Sequence, residues 1–260
     1  MVQMNDVAMR LAQAWGFEPI EELPGGHCSR IYADANRVLK VPFQGEEMTS
    51  GFRMMSHLAE RGCTPKLFHD DAQTGAILME RIKPALCLHQ AGLTDDEQRE
   101  VWKSFVARVR ATGEGNHEWA PLDQYINRQD RLADHLVATS SENCNLHGDL
   151  HHENILLHGD HWVCIDPKGL YGDPAFEGAA YVRNPLPSIG DFSTIQIEKR
   201  VHQVASSLNV DPFRVWGWSV TQLRDGDEPT GPWRNVLARL NKCAPAFNAE
   251  QWVLPMRSIE

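Results

Sequence analysis

The chain has 260 residues, 42% hydrophobic and 23% charged, with 25 basic residues against 35 acidic ones and a formal net charge of −10. It is long enough to bury a substantial core in one domain or two small ones, and its acidity argues against the basic face that a nucleic-acid partner requires. Six scattered cysteines without a Cys-x-x-Cys pair, an N-terminus with neither a basic start nor an apolar run, and no bilayer-length apolar stretch predict a cytoplasmic protein with no membrane partner.

Asn5 reads as the N-cap of a helix carrying Val7, Ala8, Leu11 and Trp15 on one stripe and stopped at Gly16. Strand-like runs follow at Phe17 to Leu23, Ser29 to Ala33 and Arg37 to Val41, separated by turns at 24–26 and 34–36. A helix from about Glu46 to Arg61 precedes two further strands, Lys66 to His69 and Gly75 to Met79. These elements predict an antiparallel sheet with one main helix packed on it. Beyond residues 80–84 the pattern turns helical. Thr94-Asp95-Asp96-Glu97 has the form of a capping box and opens a helix carrying Val101, Trp102, Phe105, Val106 and Val109. Another helix is predicted over Gln124 to Ala138, then a hairpin of Ile155 to Leu157 and Trp162 to Ile165. Helices return at Ser193 to Leu208, Pro212 to Leu223 and Pro232 to Asn241. The expected fold is α+β and bilobal: residues 1–82 form a small β-rich nucleotide-binding lobe, and residues 83–260 a larger, mostly helical lobe with the catalytic loop and substrate site. The chemistry belongs in the cleft between them.

The most specific stretch is Leu146-His147-Gly148-Asp149-Leu150-His151-His152-Glu153-Asn154, followed by Ile165-Asp166-Pro167. An Asp, an Asn five residues later and an Asp twelve beyond that have the spacing of a phosphoryl-transfer centre. Asp149 faces the attacking hydroxyl, while Asn154 and Asp166 offer magnesium the hard oxygen ligands it prefers. Taken singly, each has a plainer reading, an Asp turn or a capping Asn; together they point to ATP and Mg2+. Lys40, within Val38-Leu39-Lys40-Val41, would clamp the nucleotide phosphates and needs an acidic partner on the next helix. Glu46 and Glu47 are the candidates, with Glu47 favoured. Gly25-Gly26 could cover the phosphates, with contacts from His27, Cys28 and Ser29, and Glu80 and Ile82 could offer backbone groups to adenine.

The cluster His147, His151, His152, His158 and His161 invites a zinc reading, but Gly148 and the hairpin argue against convergence, and His147 reads better as a scaffold for the loop. Trp216 and Trp218 with Phe213 read as core, or as one wall of the substrate cleft.

Together Lys40, His147-Gly148-Asp149, Asn154 and Asp166-Pro167 resemble the aminoglycoside phosphotransferase and choline-kinase-like branch of the protein-kinase-like fold. More narrowly, LHGDLHHENILL and IDPKGLYGDPAFEGAAYVRNP resemble the streptomycin 6-kinase/hydroxyurea-resistance kinase family. The resemblance implies ATP-dependent phosphorylation of a small-molecule hydroxyl, with the 6-hydroxyl of streptomycin, a cationic antibiotic, as the leading acceptor. Gly148 replaces the Arg of protein kinases, and the short run from Asp166 to Gly172-Asp173-Pro174 leaves little room for an activation loop. Asp173 and Glu177 match the family's downstream block and read first as structural residues. The acidic run Asp225, Asp227 and Glu228 is either a solvated loop or a face for a guanidinium group. A metabolic kinase for a sugar or amino alcohol and a nucleotide-binding pseudokinase are the rival readings.

Overall fold

Period-two alternation explains how the N-terminal sheet serves a site on one face only. In the computed structural model the described residues are 4–24, 29–43, 47–111, 119–126, 130–186, 191–224 and 229–254, with 47–49 described as backbone alone. Helix α1 (Asp6–Ala14) starts where Asn5 Oδ1 accepts the Ala8 N–H at 2.8 Å. Strands β1 (Glu21–Leu23), β2 (Ser29–Ala33), β3 (Arg37–Pro42), β4 (Leu67–Asp71) and β5 (Ala76–Glu80) form an antiparallel sheet in the order β1-β2-β3-β5-β4. Leu39, Val41 and Leu78 pack with Ala8, Leu11 and Phe17 beneath α1. Val38, Ile77 and Met79 belong to the opposite face, which packs with Met55 of helix α2 (Glu47–Ala59). Lys40 is in phase with Val38, so its side chain shares that second face. The first strand is shorter than the sequence suggested. Phe17 donates its N–H to Ala12 O and is buried under α1; Ile20 is the first residue to reach β2, through its N–H to Ala33 O, and the strand begins at Glu21.

A strand absent from the sequence reading follows at once. β6 (Pro84–Cys87) pairs with β9 (Ile155–His158), which pairs in turn with β10 (His161–Cys164) around the expected Gly159 turn. Helix α3 (Asp95–Arg110) has the reciprocal capping box of Thr94 and Glu97. The predicted helix over Gln124 to Ala138 is instead two, α4 (Leu122–Tyr125) and α5 (Arg131–Ala138). Ile126 is extended at φ −85° and ψ 158°, and Asp130 restarts the helix by accepting the Leu132 N–H at 2.8 Å. Short strands β7 (Ala120–Pro121), β8 (Cys144–Leu146) and β11 (Leu170–Gly172) make a second small sheet in the order β7-β11-β8.

Helix α6 (Pro174–Val182) is buried along its whole length, as expected of a helix with no polar face turned to water. Against it pack α7 (Thr194–Leu208) and α8 (Pro212–Arg224), and α9 (Gly231–Lys242) packs on those two. Trp216 and Trp218 are fully buried, which settles them as core. Their indole N–H groups find Leu240 O at 2.8 Å and Asp173 Oδ2 at 2.6 Å, so neither ring carries an unpaired donor into the interior. No helix among the described residues is long and apolar enough to cross a membrane.

Candidate active site

The loop leaving β8 is held from below by one carboxylate. Glu177, on α6 and fully buried, accepts the backbone N–H groups of His147 (2.6 Å), Gly148 (3.3 Å) and Leu150 (3.4 Å). Burial pushes its carboxyl up to about 7, while those donors and the charge of Arg110 pull the other way. Asp173 caps α6 through the Ala175 N–H (2.9 Å) and pairs with Arg214. Both acids therefore have structural partners.

His147 sits in the same interior and burial lowers its pKa to about 3, so the ring is neutral. Its Nδ1 accepts the Asp149 N–H (3.3 Å) and its Nε2–H donates to Ile165 O (3.0 Å), a tautomer that the hydrogen-bond pattern assigns. Its own carbonyl accepts the Lys168 N–H at 2.7 Å. One ring and one carbonyl thus tie the 147–154 loop to the 165–169 segment, a scaffold of the kind expected for His147. Trp102 adds a third tie through its Nε1–H to Leu150 O (3.0 Å).

Four of the sequence-selected groups, Lys40, Asp149, Asn154 and Asp166, converge above this scaffold. Lys40 Nζ lies 2.5 Å from Asp166 Oδ1. Asp166 takes up φ +60°, left-handed backbone that Asp tolerates better than most residues. Asn154 donates its Nδ2–H to Asp149 O (2.9 Å), which leaves the amide oxygen as the end available to a metal. A cavity of about 490 Å3 is lined by Lys40, Asp149, Asn154 and Asp166 together with Ile77 and Met79 of the sheet. An amide oxygen and a carboxylate fit Mg2+, which takes one or two protein ligands and completes its shell with water and phosphate oxygens. Among the described residues no group of three or more His, Cys, Asp or Glu could hold a metal ion.

The helix after Lys40 approaches this segment closely. A Cβ at Gly51 would lie 2.3 Å from Pro167 O, and one at Gly169 2.4 Å from Ser50 O. The Ser50 hydroxyl donates to Gly169 O and accepts the Ala120 N–H at 2.9 Å. Glu46 and the side chain of Glu47 lie outside the described residues, as do Gly25, Gly26, His27 and Cys28. The Lys40 partner that is described is Asp166. Ser29 is buried and lines the cavity. Glu80 and Ile82 do not line it: the Glu80 N–H donates to Lys66 O (2.8 Å), so that donor is committed to the sheet edge, and Met79 is the last strand residue facing inward.

Asp149 also lines a second cavity, of about 250 Å3, with Tyr125, Asp130, Phe176, Arg183 and Gln222. Arg183 Nη2 lies 3.6 Å from Asp149 Oδ1, and its Nε–H donates to Gln222 Oε1 (2.9 Å). His151 Nε2 is 3.9 Å from the same Asp149 oxygen, and burial lowers its pKa, which favours the neutral ring. Asp130 Oδ2 is buried without a hydrogen-bond partner among the described residues, 3.9 Å from Arg224. Arg183, Lys168 and Asp130 escaped the sequence reading. Each is an ordinary charge at a helix end or in a loop; the break between α4 and α5 brings Asp130 to the cavity, the turn after α6 brings Arg183, and the tie of the 165–169 segment to His147 brings Lys168. Asp225, Asp227 and Glu228 lie outside the described residues.

Comparison with known proteins defines the class first. The fold is protein-kinase-like. An aminoglycoside phosphotransferase, APH(3'')-Id from Streptomyces rimosus, superposes with a TM-score of 0.58 at 15% identity, over 89% of this chain and 99% of that one. A choline kinase from Streptococcus pneumoniae superposes with a TM-score of 0.53 at 17% identity, over 93% and 98%. A family model described as aminoglycoside/hydroxyurea antibiotic resistance kinase matches residues 127–223. Streptomycin 3''-kinase of Klebsiella pneumoniae is 33% identical over 208 residues, 72% of this chain and 77% of its own length. Streptomycin 6-kinase of Streptomyces griseus is 26% identical over 222 residues, 74% and 70%. The chain belongs to the aminoglycoside/hydroxyurea antibiotic resistance kinase family. It is a phosphotransferase with an alcohol group as acceptor.

Proposed function

We propose that the chain transfers the γ-phosphoryl group of ATP to a hydroxyl of streptomycin, in the cytoplasm, and so confers resistance to it. The observation that carries this reading is the place of Asp149, which lines both the larger cavity beside Lys40 and Asp166 and the smaller one beside Tyr125 and Arg183. The larger cavity takes the nucleotide and the smaller the acceptor. Residues 1–82 act as the nucleotide-binding lobe and residues 83–260 carry the acceptor half. Lys40 neutralises the phosphates, and Asn154 and Asp166 hold Mg2+, which when bound offsets charge on the phosphate oxygens. Asp149 orients the acceptor hydroxyl and takes its proton; Arg183 and the neutral His151 keep that carboxylate in place. Asp130, whose Oδ2 has Arg224 at 3.9 Å but accepts no hydrogen bond among the described residues, gives a cationic acceptor group an anionic partner.

Two positions on streptomycin are supported by different observations. The motif blocks resemble the 6-kinase family, whereas the 33% identity to a 3''-kinase favours the 3''-hydroxyl. ATP consumption should depend on streptomycin, and product mass and phosphorus NMR should show one added phosphate at one of these positions. Asp149→Ala should abolish turnover and leave nucleotide affinity within about threefold. Near-normal turnover in that variant would remove the reading, and turnover with sugars or amino alcohols alone would move the enzyme to another acceptor class.

A further inference from the structure

Asp149 is not alone at the junction of the two cavities. Lys168 lines both as well. It follows Asp166 by two residues, and its backbone is fixed on several sides. Its N–H donates to His147 O at 2.7 Å, and a Cβ at Gly148 would come within 2.9 Å of Lys168 Cβ. Gly169, next in the chain, is pressed against Ser50. A long cationic side chain is thus rooted in rigid backbone where the nucleotide and acceptor cavities meet. Lys40 cannot fill that role, because it lines only the larger cavity and pairs with Asp166 there.

We propose that Lys168 is a catalytic residue whose ammonium contacts the phosphoryl group during transfer, an assignment that rests on the kinase reading of this site. The acceptor oxygen forms a bond to the γ-phosphorus as the bond from that phosphorus to the β–γ bridging oxygen breaks. The electron pair leaves with ADP and the hydroxyl proton passes to Asp149. Negative charge on the three non-bridging oxygens moves from the nucleotide cavity toward the acceptor cavity. A cation bordering both follows it across, staying protonated throughout. Fixed charge aimed at the group in transit favours the transition state over either ground state.

The test compares Lys168→Met and Lys168→Arg with the unmodified chain, reading kcat and two affinities by calorimetry. One is for Mg-ADP, and the other is for Mg-ADP with aluminium fluoride and streptomycin, a mimic of the group in transit. In the Met variant kcat and affinity for the mimic should fall together by about 10²- to 10³-fold, the usual loss on removing one such charge-stabilising donor. Mg-ADP affinity should stay within about threefold, and Arg should recover at least about tenfold of the loss. Unchanged affinity for the mimic overturns the proposal, and so does an equal loss for ADP and the mimic. A rise confined to the acceptor KM overturns it too. If the Met variant fails to fold, the Arg variant and Lys168→Gln carry the same comparison. A normal Lys168→Met beside an inactive Asp149→Ala would sink this assignment alone.

Discussion

Glu177→Gln sets two buried groups against each other in a measurable way. Glu177 holds three backbone N–H groups of the 147–150 loop, and its carboxyl is raised from an ordinary 4.5 to about 7. A raised carboxyl contributes stability that is complete below 4.5 and is lost as pH rises through 7. His147, lowered from 6.5 to about 3, does the opposite: its contribution is complete above 6.5 and is lost as pH falls toward 3. Each slope is about 1.4 kcal/mol per pH unit, so from pH 4.5 to 6.5 the two cancel. Glutamine removes one of them. Above pH 7 the variant should be less stable by about 1–3 kcal/mol, since its NH2 meets donors where an oxygen accepted them. On acidification from pH 6.5 to 4.5 the gap should widen by roughly 3 kcal/mol. Urea unfolding of both proteins across this range reads the gap, and all other titrating groups drop out of the difference. Parallel curves, or a gap that narrows toward acid, would refute the reasoning.

Asp166→Asn should weaken Mg2+-dependent ATP binding by at least about tenfold, the lower bound even for groups that merely support a metal ligand. Nucleotide titrations with and without Mg2+ check this, and an unchanged Mg2+ dependence counts against a ligand role. Gly51→Ala places a Cβ 2.3 Å from Pro167 O and should cost about 1–3 kcal/mol of overpacking. That is a fall in Tm of at least about 2 °C, and an unchanged melting curve would mean that α2 stands off the loop. Arg183→Met removes the cation 3.6 Å from Asp149 and should lower kcat about tenfold with the ATP KM unchanged. Steady-state kinetics in both substrates decide it, since a rise in the ATP KM alone would assign Arg183 to nucleotide binding.

Features with a local cause were legible in the sequence. Asn5, the Thr94 box and the Gly159 turn each act within a few residues, and the elements they bound lie where the pattern put them. The grouping of Lys40, Asp149, Asn154 and Asp166 was legible because phosphoryl transfer restricts residue type and spacing together. What escaped depends on distant partners. β6 begins with Pro84, which argues against a strand, and its mate β9 begins some seventy residues later. The break after α4 carries no Gly or Pro among its described residues. Lys168 and Arg183 are ordinary cations until the chain folds, and the residues lining the smaller cavity form no motif of their own.

The seam between Ser50-Gly51 and the Pro167–Gly169 segment has a consequence for control. Many kinases are switched by swinging the helix after the phosphate-clamping lysine outward. Here the helix backbone at Gly51 rests directly on the backbone of the Pro167–Gly169 segment, and the Ser50 hydroxyl bridges to Gly169 and Ala120. Outward movement would strip polar groups of their partners and open a void at once, leaving no low-cost off state. A site built this way stays assembled whether or not its substrates are bound.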